Sequence, residues 1–376
     1  MVPTAGSLPA VSFPAQNLMT KPGRNIQVTS SSGKVVLALD AHGGDFGPAV
    51  TVPAALDILA AQPTLQILLC GIQAEIAPVL ESYSNERVHK NCFDRLHTIK
   101  ASHALASDAR PVAALRRGKG SSLWLALEQV SNGKANACVS AGSTAAMLAL
   151  GVKLLGMLPG IERPALMSRI PSATGQTSLL DLGANLNVTA NQLVQFAIMG
   201  SVAYPVDGES RQPKVALLNV GHEDSKGDAV VKQAHTMLKE LPINYTGFIE
   251  GHDIFAGNAD VAVCDGFSGN LILKSGEGLA RMFIRQLDLA MKKGVFAKLG
   301  ATLAAGALKP MLARFEPTKH NGAPLLGLRG VVVKSHGNAN REALGHAILE
   351  AVTEAERQVP QRIEAMINDY SIEVGL

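Results

Sequence analysis

VVLALDAHGGDFGP, residues 35–48, sets the pattern for the whole chain. An unalternating apolar run ends on a polar residue, Asp40, and glycines follow. The same design returns in ACVSAGSTAAM (137–147), SLLDLGANLN (178–187), VALLNVGHEDSKG (215–227), VAVCDGFSGNLILK (261–274) and VVVKSHGNAN (331–340). Short apolar runs without alternation read as strands covered by helices on both faces. Helical segments are predicted between them at Ser122–Ser131, Thr144–Leu158 and Asp228–Glu240. Strands alternating with helices predict an α/β fold of three layers, αβα, around a mostly parallel, doubly wound sheet. In such a sheet the strand ends are expected to open toward one edge, where ligands bind. Helix starts present free N–H groups and a positive dipole end there, which suits an anion such as phosphate.

Composition agrees. Of 376 residues, 47% are hydrophobic and 17% charged, enough apolar material for a large core. Aromatics make up only 4%, net charge is +3, and no basic stripe is present, so nucleic acid is not an expected partner. Cys70, Cys92, Cys138 and Cys264 are widely spaced and read as reduced thiols, not a zinc site. Residues 1–33, rich in Pro, Ser, Thr and Gly, read as a disordered extension without a signal-peptide pattern. Residues 34–376 read as a single α/β domain. No G-x-G-x-x-G follows a strand, and neither a P-loop, H-E-x-x-H nor G-x-S-x-G is present. A dehydrogenase, a P-loop enzyme and a serine hydrolase all lose ground.

The glycine loops, together with ASDARP (106–111), GSSLWLALEQV (120–130), LPGIERPAL (158–166), NGAPLLGLRGVVVKSHGNAN (321–340) and RQVPQRI (357–363), resemble the phosphate acyltransferase (PlsX) family over roughly Lys34 to Ile363. The chain departs from the family pattern at His42, Ser143-Thr144-Ala145 and His222. The resemblance implies a fold akin to phosphotransacetylases and isocitrate dehydrogenases. It implies transfer of a fatty acyl group from acyl carrier protein to inorganic phosphate, feeding phospholipid synthesis. It also implies a homodimer in the cytoplasm, loosely attached to the inner membrane face, supplying a membrane glycerol-3-phosphate acyltransferase. No cofactor is expected. A phosphotransacetylase using acyl-CoA and a non-catalytic scaffold are the alternatives.

That reaction needs little acid–base help. Phosphate is partly dianionic at neutral pH, and a thiolate with a pKa near ~8.5 leaves readily. What remains is to hold the anion against the carbonyl and to stabilise the oxyanion. Lys226, Lys334, His336 and Asp265 form the expected catalytic set. Substrate binding is expected from Asp40, Gly43, Gly44, Asp45, Ser140, Gly142, Ser143, Thr144, Asp181, Asn185, Asn270, Lys274, Gly337 and Asn338. Lys226, Lys274 and Lys334 are read at strand ends. The aspartates read as turn builders and lysine partners in preference to metal ligands. Cys138 and Cys264 read as buried core residues, not as acyl carriers.

Residues 276–316 differ from the rest. Leu279, Met282, Phe283, Leu287 and Met291 recur at helical spacing among basic residues, with a break near Gly294. A helical hairpin arm is predicted, serving dimer packing, acyl-chain binding or an anionic membrane surface. Its membrane-facing residues are expected to be Met291, Lys292, Lys293, Val295, Phe296 and Lys298.

Overall fold

The computed structural model describes residues 34–89, 91–205, 211–314 and 317–374; the extension read over 1–33 lies outside them. The strands are β1 Val36–Asp40, β2 Gln66–Gly71, β3 Leu96–Lys100, β4 Ala137–Ser140, β5 Ala165–Ser172, β6 Gly175–Leu180, β7 Val215–Leu218, β8 Tyr245–Ile249, β9 Val261–Val263, β10 Ala323–Leu326 and β11 Val331–Lys334. The helices are α1 Pro48–Ala61, α2 Gln73–Tyr83, α3 Pro111–Arg117, α4 Ser122–Ser131, α5 Thr144–Leu155, α6 Ala190–Ala203, α7 Ala229–Lys239, α8 Gly251–Ala256, α9 Gly266–Lys292, α10 Val295–Arg314, α11 Arg341–Glu356 and α12 Val359–Val374. All six apolar runs are strands, and the three predicted helices form with small shifts at their ends. Asp228 caps α7 by accepting from the Val231 amide at 2.8 Å, so the helix itself starts one residue later.

One sheet contains all the strands, in the order β3-β2-β1-β4-β11-β10-β5-β6-β9-β7-β8. Alternation along its strands builds three layers. Leu37 and Leu39 of β1 pack with α1 and α11, whereas Ala38 faces α4 and α5. Val331 and Val333 of β11 join the first side and Val332 the second. In the other half, Leu180, Val261 and Val263 face α6 and α12, while Leu179 and Ala262 lie over α8 and α9.

The expectation that all strand ends open toward one edge is corrected. β10 is antiparallel to both β11 and β5, and β5 is antiparallel to β6. The block β6, β9, β7, β8 therefore runs opposite to the block β3, β2, β1, β4, β11. Loops after β1, β4 and β11 leave one edge; loops after β6, β7 and β9 leave the other.

α9 connects the two edges. It begins at Gly266, ahead of the expected 276, because Asp265 caps it: Oδ1 accepts from the Ser268 amide (2.9 Å) and Oδ2 from the Ser268 hydroxyl (2.8 Å). A Cβ on Gly269 would stand 1.9 Å from the Asp181 carbonyl oxygen, so only glycine lets this turn rest on the β6 end. α9 and α10 form a helical hairpin joined at Gly294, whose φ is +91°. Phe296 at the joint is 91% exposed, and Val295, Leu299 and Leu303 are exposed with it. Among the described residues, no helix is long and apolar enough to cross a membrane.

Candidate active site

Three loops interlock at the edge formed by β1, β4 and β11. The Asp40 carboxylate, almost fully buried, accepts from the Ser140 hydroxyl (2.7 Å) and the His42 amide (3.2 Å). Ser140 Oγ in turn accepts from the Gly142 amide (3.0 Å). A Cβ on Gly43 would lie 2.7 Å from the Ala141 nitrogen and 2.8 Å from that of Gly142, so the first two loops meet backbone to backbone. The Asp45 amide donates to the Gly337 carbonyl at 2.8 Å, tying in the third loop. Asp40 is thus a turn builder, as its residue type suggests, whereas Asp45 ties the loops through its backbone amide.

Lys334 is the charge at the centre of this cluster. Its Nζ donates to the Ala141 carbonyl (3.3 Å) and, closely, to that of Ser335. Burial first, then the neighbouring Lys274 charge, pushes its ammonium down to about 8, while Asp40 and Asp45 oppose the shift. Two residues on, the His336 amide donates to Asn321 Oδ1 (2.9 Å), which fixes the loop. Burial lowers the imidazole pKa; Glu277 raises it, and Lys274, Lys334 and Arg281 lower it further. Ser143 caps α5, accepting from the Ala146 amide (3.3 Å) and donating to the Ala109 carbonyl (2.8 Å). The amides of Thr144 and Ala145 head this helix and have no acceptor within it. Gly337 and Asn338 complete the turn after His336, with Asn338 exposed.

Lys274 is not at a strand end. It lies within α9, exposed, because Leu271-Ile272-Leu273 continues the helix. The climb of α9 from the far edge is what brings Lys274 close enough to depress Lys334.

Asp181, Asn185, Asp265 and Asn270 gather at the other edge. The Asp181 carboxylate is fully buried and saturated by its own chain. Oδ1 accepts from the amides of Leu166 (2.9 Å), Leu182 (2.7 Å) and Ala184 (3.2 Å). Oδ2 accepts from the Asn185 amide (2.6 Å) and its Nδ2 (3.1 Å). A Cβ on Gly183 would lie 3.8 Å from Asn270 Cβ, an ordinary contact. Lys226 is exposed on the β7–α7 loop, with β9, β6, β5 and β10 between its strand and β11. The structure does not bring it to Lys334. Sequence reasoning missed Ala141, Asn321 and Glu277. Of these only Glu277 carries a local signal, its i,i+3 and i,i+4 spacing to Lys274 and Arg281.

Beside His336 opens a cavity of about 730 Å³. Ser168, Ile170 and Pro171 of β5, Phe255 of α8, and Leu271, Leu279, Met282 and Phe283 of α9 line it. Its wall is mostly apolar, with His336, Glu277 and Arg169 as its ionisable members, and Arg169 is ion-paired to Glu350. A second hollow, about 490 Å³, lies between α1 and α11, where Asp57 and Arg341 are engaged with each other. It has no strand-end loop in its wall apart from the α11 cap. Cys138 and Cys264 are buried, and burial pushes both thiols well up. A cationic, amide-rich cluster next to an apolar cavity suits an anion and a long hydrocarbon chain brought together.

Residues 35–362 match the family model described as "Fatty acid synthesis protein". A phosphate acyltransferase of Shewanella halifaxensis is 48% identical over 343 residues, covering 91% of this chain and 99% of that protein. One from Shewanella woodyi is 47% identical over 346 residues, with the same coverage. Among solved structures, a phosphotransacetylase from Streptococcus pyogenes superposes with a TM-score of 0.56 at 18% identity, covering 86% of this chain and 94% of that one. A branched-chain phosphotransacylase from Enterococcus faecalis gives 0.51 at 16% identity, covering 86% and 99%. These two show a shared fold. The close relatives and the family match lead to one conclusion: the chain belongs to the phosphate acyltransferase family and is an acyltransferase.

Proposed function

We propose that this protein transfers a fatty acyl group from acyl carrier protein to inorganic phosphate, giving an acyl phosphate for phospholipid synthesis. The observation that carries this reading is the adjacency of the Lys334 cluster and the apolar cavity with His336 in its wall. Phosphate lies against Lys334, Lys274 and the α5 amides of Thr144 and Ala145. The acyl chain lies in the cavity along α9. The phosphate oxygen attacks the thioester carbonyl, the C–S bond breaks, and the sulfur takes the electron pair. His336 carries the proton that HPO₄²⁻ loses to the departing thiolate, so protons balance without an outside acid. Lys226 is left outside this clamp, and Asp181 and Asp265 support it as scaffold.

Transfer is direct. Both central thiols are buried and held in their protonated form, which makes an acyl-enzyme on Cys138 or Cys264 unfavourable. Initial-rate lines are expected to intersect when acyl carrier protein thioester and phosphate are both varied. Parallel lines, or acyl label retained on either cysteine, would contradict it. Running the same series with acyl-CoA tests the donor: the carrier-protein thioester is expected to react faster, and a preference for CoA would make the enzyme a phosphotransacetylase.

The arm is read as two parts. Its body, with Leu279, Met282 and Phe283 exposed, offers an apolar face for the homodimer and the acyl chain. Its tip, at Met291, Val295 and Phe296 among Lys292, Lys293 and Lys298, offers a surface for anionic lipid at the inner membrane face, where a membrane glycerol-3-phosphate acyltransferase would receive the product. Each lysine near such a surface contributes about 1 kcal/mol. Phe296→Glu is expected to cut co-sedimentation with phosphatidylglycerol liposomes while soluble activity and dimer mass stay unchanged. Unchanged sedimentation would remove the anchor role, and dissociation of the dimer would assign the tip to subunit packing instead.

A further inference from the structure

Glu277 is an unusual residue for a helix as exposed as α9. Its side chain is only 13% exposed, and it stands in the wall of the apolar cavity. Oε1 lies 3.6 Å from His336 Nε2, while Oε2 lies 3.2 Å from Lys274 Nζ and 3.6 Å from Arg281. The two cations are themselves more than half exposed, and pairs of that kind on a helix surface contribute little. They do not explain why a carboxylate is set into the cavity wall behind an imidazole.

The imidazole explains it. A neutral histidine has two tautomers, and the group bound at one nitrogen decides which atom of the other is free. We propose that Glu277 is the positioning residue for His336: it takes the Nε2–H, leaves Nδ1 as the acceptor, and stabilises the imidazolium formed when Nδ1 accepts a proton. This rests on the reading of His336 given above. The proton arrives from HPO₄²⁻ as the O–C bond forms and leaves Nδ1 for the thiolate as the C–S bond breaks. The 3.6 Å gap is an ion-pair distance, wider than a closed hydrogen bond. Catalytic pairs commonly tighten when substrate binds. The charges facing His336 are Glu277, Lys274 and Arg281 from α9 and Lys334 from β11. Asp45 is tied to the adjacent Gly337, and Arg169 of β5, paired to Glu350, shares the cavity wall. Among the described residues, Glu277 is the only His336 neighbour in direct ion-pair reach that favours imidazolium, so removing its charge has one sign.

The test is Glu277→Gln, with Glu277→Asp as the conservative control. Circular dichroism checks that both fold. For Glu277→Gln, kcat is expected to fall roughly 10- to 100-fold with KM for phosphate within about twofold. The acid limb of the kcat profile should move to lower pH, because imidazolium has lost its carboxylate. Glu277→Asp should recover part of the rate and of the limb. The double variant with His336→Gln should lose no more than His336→Gln alone. An NMR titration of the His336 ring, which needs no turnover, should show the same downward shift. A Glu277→Gln enzyme with an unmoved limb and an unmoved NMR titration overturns the proposal. If His336→Gln is as active as the parent, the proton-carrier reading falls and this role falls with it. If His336→Gln is inactive while Glu277→Gln is normal, only the role of Glu277 falls.

Discussion

Lys334→Ala is expected to lower kcat/KM for phosphate by roughly 10²- to 10³-fold while the fold survives, the usual loss when a preorganised charged donor is removed from a dry site. The ammonium is held by two carbonyls, and among the described residues no buried carboxylate depends on it as its only partner. Steady-state kinetics with phosphate varied reads the loss directly. The pH dependence adds a sign. Lys334 carries its proton below about 8 and sheds it above, so kcat/KM for phosphate should fall as pH rises through about 8. Phosphate's own second ionisation acts the other way, since the dianion grows with pH. Lys334→Arg separates the two: a guanidinium stays charged, so the alkaline limb should move beyond the measurable range even if the altered geometry lowers the rate. A limb that stays near 8 in Lys334→Arg would assign it to another group.

Asp181→Ala is expected to act on folding instead of on substrate binding. It strips the acceptor from the Leu166, Ala184 and Asn185 amides at once, while the Leu182 amide keeps the Leu166 carbonyl (3.1 Å) and Asn185 Nδ2 keeps the Pro164 carbonyl (2.8 Å). A buried donor left without a partner costs about 1–3 kcal/mol. Water entry and relaxation will recover part of the sum. A destabilisation of more than about 3 kcal/mol remains, against a typical total of about 5–15 kcal/mol. The α9 start rests on this residue, so the arm and Lys274 should loosen with it. Chemical denaturation checks this; a variant of parental stability with a raised KM for phosphate would return Asp181 to the binding site.

The two expectations divide the residues that the sequence grouped together. Six strands were legible because each ended in the same way, an apolar run closed by a polar residue and glycine. β5 and β10 carry no such mark. ALMSRIPS turns directly into β6 as a hairpin, and APLL is four residues with a proline. These two unmarked strands reverse the sheet, which is why Asp40 and Asp181, alike in sequence context, sit at different edges. Strand-end loops alone could not show which of them meet. The Lys334 cluster was legible from VVVK followed by His336 and Gly337. The role of α9 was not, because it depends on where the helix crosses the sheet: the i+3 spacing of Lys274 and Glu277 shows that they share a face, not what that face meets. The arm was legible as a helical pair broken at Gly294, with the apolar period clear in its first helix and irregular in its second, since that period is independent of the rest of the fold.

One measurement bears most directly on the account: incubation of the purified protein with an acyl carrier protein thioester and ³²P-labelled inorganic phosphate, following both free carrier thiol and hydroxylamine-sensitive acyl phosphate. Label is expected to appear in acyl phosphate in step with thiol release, and both are expected to be suppressed together in Lys334→Ala. Thiol release without labelled acyl phosphate would make the protein a hydrolase at this site, and absence of both would contradict the account altogether.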